Sequence, residues 1–116
     1  ASLQKAGGRI VGGSDYFVTD LNPLHAIEVA ITRQDPYSND GRVLNEDERV
    51  DLETMIDAYT INGAYQMGLD QEHGSIEVGK RADFVVLDRN LFELPAAEIN
   101  EASVVMTIFD GRTVYE

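Results

Sequence analysis

The tightest constraint on this chain's fold lies near its end, where Val104-Val-Met-Thr-Ile-Phe109 and Arg112-Thr-Val-Tyr115 flank Asp110-Gly111. β-Branched and aromatic residues suit a pleated surface, and an Asp-Gly pair supplies the two positive φ angles of a tight hairpin turn. The segment therefore predicts an antiparallel hairpin. Upstream, Phe84-Val-Val-Leu87 between Asp83 and Asp88 predicts a buried strand, so the character from His73 onward is β.

Between them in importance stands Gly74-Ser-Ile-Glu-Val-Gly-Lys-Arg-Ala-Asp83, which has two readings. Gly74, Gly79 and Lys80 fill most of a phosphate-loop template. That template needs a hydroxyl after the lysine, where this chain has Arg81, and then a helix whose amides face the phosphates. A strand follows instead. The better reading is a turn: Ile76 and Val78 alternate with Glu77 as a short strand, Lys80 faces solvent, and Asp83 fixes the start of the next strand.

Earlier residues predict a more helical half. Residues 1–8 read as a loop or frayed helix end. Arg9-Ile10-Val11 reads as a short strand closed by Gly12-Gly13, where the backbone turns or lets something approach. No dinucleotide fingerprint can be read there. Asn22-Pro23 starts a helix with Asn as cap and Pro at the first position, and Leu24, Ile27 and Ile31 give it one apolar face. His25 and Glu28 share a face at i, i+3 and read as a surface pair, because no third metal ligand lies near. Residues 34–44 form a polar loop containing Asp35, Pro36, Asn39, Asp40 and Gly41, and calcium-loop spacing fails there. Asn45 and Glu48 make a capping box for a helix carrying Leu52, Met55, Ile56 and Tyr59, which Gly63 ends in the left-handed conformation. Residues 64–68 read as a further helical turn, and 91–100 as a connector around Pro95.

Composition narrows the function. The net charge of −12 disfavours nucleic acid, whose phosphates call for clustered Lys and Arg. With no cysteine there is no disulfide framework or thiolate metal site. No run reaches the roughly 18 apolar residues of a membrane span, and a cytoplasmic setting is expected. The 116 residues suffice for one core.

Four ordered pieces carry a family likeness. Gly74 to Asp88, with Asp83 ahead of the apolar strand, resembles the closing segment of metal-dependent amidohydrolases. Gly13-Ser14-Asp15-Tyr16 followed by Asn22-Pro23, Thr60-Ile-Asn62-Gly63-Ala64, and Thr107-Ile-Phe-Asp-Gly111-Arg agree with it in order and spacing. Together they resemble the branch often called amidohydrolase family 3, over nearly all of Ile10 to Glu116. One departure is Phe17, where that branch often has proline.

The resemblance implies an α+β chain that is part of a larger fold. Residues 1–72 would be the last strand and helices of a (β/α)8 TIM barrel, and 73–116 the C-terminal strands of a small β-sandwich. It places Asp15 at the C-terminal end of the last barrel strand, where such barrels keep their active sites. Asp15 is thereby implied as both catalytic base and ligand of a divalent metal, usually zinc, with Tyr16 and Phe17 as candidates for contact with a small-molecule substrate. Residues 16–22 and 34–44 are expected to contribute to the pocket wall.

The family's histidine ligands have no counterpart here, since His25 and His73 stand elsewhere. The chain is therefore expected to need the missing N-terminal barrel portion as its partner. Alone it should hold no metal tightly and hydrolyse nothing. An apolar face freed of barrel strands favours self-association as a homo-oligomer. A different class of function fits the same residues: a non-catalytic α+β module that packs against a partner chain.

Overall fold

The computed structural model describes residues 1–38 and 40–116; Asn39, placed in the polar loop by the sequence, lies outside them. A short helix α1 (Ser2–Lys5) precedes α2 (Pro23–Thr32). The start of α2 follows its sequence chemistry: Asn22 Oδ1 accepts from the Leu24 amide at 3.0 Å, and Pro23 needs no donor there. Arg33 ends it at φ 59°, donating its amide to the Val29 carbonyl.

The next helix, α3 (Leu52–Tyr59), does not begin at the expected capping box. Asn45 lies at φ 50°, outside the extended region an N-cap needs, and Glu46–Glu48 forms only a 3-10 turn before Arg49 becomes extended. Asp51 caps instead, its Oδ1 accepting from the Thr54 amide at 2.8 Å. Glu48 turns away to accept from the Ser2 amide, 46 residues distant, and so ties α1 to this segment.

Gly63 does not end α3. The break falls at Thr60 (φ −127°, ψ −98°), whose hydroxyl donates to the Ile56 carbonyl, and Gly63 sits inside α4 (Ile61–Gln66). A side-chain hydroxyl has taken over the helix's terminal carbonyl, so no left-handed residue is required there. Gly68, at φ 70°, follows α4 as expected.

The β unit is a three-stranded antiparallel sheet in the order β1 (Phe84–Leu87), β2 (Val104–Phe109), β3 (Arg112–Tyr115). Phe84 stands opposite Ile108 and Val86 opposite Met106. Asp110 and Gly111 both have positive φ (49° and 74°), which is the hairpin turn read from the sequence. Three β expectations fail. Ile76 and Val78 form no strand and are exposed, because no described segment pairs with them. The β1 strand forms but is not buried: Phe84, Val85 and Val86 are exposed, since no second layer of the described residues covers the sheet. Arg9–Val11 likewise lacks a ladder and is extended chain rather than a strand, held by Asn62 Nδ2 on the Ile10 carbonyl at 3.1 Å.

The core lies between the helices and the connector after β1. Leu24 and Ile27 of α2, Met55 and Ala58 of α3, and Leu91, Ile99 and Ala102 of the connector are buried together. Each large side chain contributes about 1.5–3 kcal/mol on full burial. Glu28 is buried here too, so it makes no surface pair with His25. Its carboxylate accepts from the Asn100 amide at 2.9 Å and from Asn100 Nδ2 at 3.1 Å. A buried acid with both oxygens satisfied docks α2 on the 3-10 segment Ala96–Glu101. Among the described residues no helix is long and apolar enough to cross a membrane.

Candidate active site

The loop between the extended 9–12 segment and α2 carries Asp15. Its approach is set by a close contact: the Gly12 amide donates to the Ala58 carbonyl, and a Cβ on Gly12 would stand 2.4 Å from the Tyr59 ring. Only glycine fits there, which answers the expectation that something approaches the backbone at this point. Asp15 follows at φ 47°. The turn it makes is closed by its carbonyl, which accepts from the Val18 amide at 2.8 Å, and by Thr19 Oγ1 on the Ser14 carbonyl at 2.6 Å. The backbone thus closes the turn, and the Asp15 side chain stands on the exposed side. Tyr16 and Phe17 are also exposed, at 68% and 88%, and the peptide bond between them is cis.

Beside this loop lies a cavity of about 760 Å³ between α2 and residues 33–44. Most of the described residues of the 34–44 loop line it. From the 16–22 loop only Thr19 and Asp20 line it, while Tyr16 and Phe17 do not. One side is formed by Ala26, Val29 and Ala30 of α2, away from its Leu24 and Ile27 core face; Val43 and Leu44 close the other. The two ends of this loop are tied to each other. Leu44 N donates to the Arg33 carbonyl at 2.8 Å, and Arg33 Nε returns a bond to the Leu44 carbonyl at 2.9 Å. Arg42 Nε donates to Asp40 Oδ2 at 2.7 Å, and the guanidinium holds that carboxyl below the usual aspartate range.

Sequence reasoning missed the polar cluster at this cavity. His25 Nδ1 lies 3.2 Å from Tyr37 Oη and 3.2 Å from Asp20 Oδ2, with the two rings edge to face at 5.5 Å. Helical spacing offered His25 only Glu28 as a neighbour. Its real neighbours come from loops on either side of α2, and Asp35 Oδ1, which takes the Tyr37 amide at 2.9 Å, is the one local signal pointing to them.

The Gly74–Asp88 stretch is a clasp and not a ligand site. Lys80, expected to face solvent, is turned inward: Nζ donates to the Asp70 carbonyl and to Ser75 Oγ, both at 2.6 Å. Asp83 anchors the start of β1 by taking the Asp110 amide at 2.6 Å on one oxygen and His73 Nδ1 at 2.8 Å on the other. Strand β1 follows where a phosphate loop would need a helix.

Among the described residues no three His, Cys, Asp or Glu side chains cluster to hold a metal. Asp15 offers a single carboxylate, which fits one position of a ligand set and does not make a site by itself.

The sequence model of the family described as amidohydrolase family matches residues 1–115. An N-substituted formamide deformylase of Arthrobacter pascens is 36% identical over 115 residues, which are 99% of this chain and 21% of that protein. The protein LONG AFTER FAR-RED 3 of Arabidopsis thaliana is 34% identical over 98% of this chain and 19% of its own length. The structure of an amidohydrolase from Thermotoga maritima superposes with a TM-score of 0.71 at 24% identity, over 98% of this chain and 24% of that one. The chain spans about a fifth of the length of the curated relatives it matches.

Proposed function

The chain belongs to the amidohydrolase family, and from that premise we propose that it is the C-terminal part of a metal-dependent hydrolase of C–N bonds in amide-type small molecules. The observation carrying this reading is a match along the whole chain to proteins of which it covers only about a fifth. Residues 1–72 supply the end of a (β/α)8 barrel and 73–116 the last strands of a β-sandwich. An exposed carboxylate on a turn that the backbone itself closes supports the assignment of the catalytic role to Asp15. It takes a proton from the attacking water and returns it to the departing nitrogen, and it is one ligand of a divalent metal, zinc being the expected one. When bound, such a metal acidifies a water toward a pKa of about 7. Tyr16 and Phe17 stand next to Asp15 on the same exposed turn, where a substrate would meet them.

The partner of this chain is then the N-terminal barrel portion of the same enzyme. Exposed apolar residues on the sheet, Val85, Phe109, Val114 and Tyr115 among them, support that reading, as do Ile76 and Val78 beside it. The test compares the complete enzyme with the isolated 116-residue chain for hydrolysis of simple amides and for bound metal. Activity and zinc are expected in the complete enzyme alone. One tight zinc per isolated chain, or amide hydrolysis by it, contradicts the proposal.

A further inference from the structure

Resting on the hydrolase reading, we infer that the cavity between α2 and residues 33–44 receives the substrate's non-reacting substituent, and that this substituent is apolar and uncharged. Its volume, about 760 Å³, lies in the range of pockets that enclose a small organic molecule. Its floor is a second side of α2, distinct from the Leu24 and Ile27 face in the core, where small side chains (Ala26, Val29, Ala30) leave room, and Leu44 closes the far side. Space of this kind beside an aromatic ring takes a phenyl group or a branched alkyl chain.

Polar groups gather on one wall, around His25. Its Nδ1 lies between the Tyr37 hydroxyl and the Asp20 carboxylate, each at 3.2 Å, so the imidazole is fixed in place by two loops. Such a wall orients a ligand while the apolar floor holds it. Charge decides between neutral and anionic substituents. Asp20, Asp35 and Asp40 face the cavity against Arg33 and Arg42. Arg42 is paired with Asp40, and Arg33 Nε is engaged by the Leu44 carbonyl. A carboxylate-bearing substituent would meet acid without a fork of donors prepared for it. The cavity also touches the loop bearing Asp15, through Gly13 two residues before it. In this proposal a substrate whose amide lies at Asp15 extends its substituent along this wall.

The experiment measures kcat/KM of the complete enzyme for N-benzylacetamide, N-methylacetamide and N-acetylphenylalanine. The benzyl amide is expected to exceed the methyl amide at least about tenfold, the scale on which apolar pockets discriminate. The carboxylate-bearing compound is expected below the benzyl amide. Val29→Phe, which fills the floor, and Tyr37→Ala, which opens the wall, should each reduce the benzyl-to-methyl ratio, and Phe92→Ser, exposed and outside the cavity, should not. A ratio near one, a preference for the carboxylate, or a ratio unchanged in both cavity variants overturns the inference. Ligand-observed NMR of N-benzylacetamide gives a readout independent of turnover. Binding that Val29→Phe weakens, in an enzyme that hydrolyses no amide, removes the hydrolase reading and keeps the pocket.

Discussion

Asp83 is the residue on which the β unit turns. The Asp110 amide holds its carboxyl below the ordinary aspartate range, and His73 and Arg81 add to the effect. A depressed folded-state pKa means that the folded chain binds fewer protons than the unfolded one in acid. The stabilisation is therefore complete above the unfolded value of about 3.9 and is lost as pH falls through the folded value. The protection factor of the Asp110 amide against hydrogen exchange should fall across that acid window, and Asp83→Asn should remove that part of the pH dependence. An unchanged acid slope in the variant would count against the clasp. Gly74 makes a second prediction. It lies at φ 90°, and an added Cβ would stand 2.8 Å from both Ala64 Cβ and Ile61 Cα. Gly79 shares the positive φ (97°) but faces open space. Gly74→Ala should thus cost about 1–3 kcal/mol from crowding on top of the about 1–2 kcal/mol that a left-handed alanine costs at either site. Urea titrations of the two variants with equal midpoints would contradict this.

Among the elements, those with local causes were legible from the sequence. The hairpin could be read because Asp110-Gly111 dictates its own turn, and α2 because Asn22-Pro23 sets both cap and first residue. Where two caps competed, tertiary contacts decided. Glu48 is drawn to Ser2, so Asp51 and not Asn45 starts α3. Asp51→Ala is accordingly expected to cost about 1 kcal/mol and to speed hydrogen exchange at the Thr54 amide. Helix starting at Asn45 would leave that amide protected in the variant. Glu28 was misread for a related reason: its partner Asn100 is 72 residues away, and helical periodicity sees only neighbours. Lys80 was read as solvent-facing because a turn sequence does not show the Asp70 carbonyl beneath it.

At the scale of the molecule, the unpaired 9–11 segment, the exposed Ile76 and Val78, and the uncovered sheet have one explanation. Under the proposal above they are the surfaces that meet the rest of a longer enzyme, which agrees with a chain that covers about a fifth of its relatives' length. The candidate site divides the same way. Asp15 is proposed from its motif alone, whereas the cavity lined by Asp20, His25 and Tyr37 depends on loops that meet only in three dimensions. The central claim is that Asp15 carries the proton in C–N hydrolysis, and kcat of the complete enzyme with Asp15→Asn tests it most directly. The account predicts a folded protein whose kcat on its amide substrate falls about 10²–10⁴-fold, the usual contribution of a positioned general base. Turnover equal to that of the unaltered enzyme would contradict it.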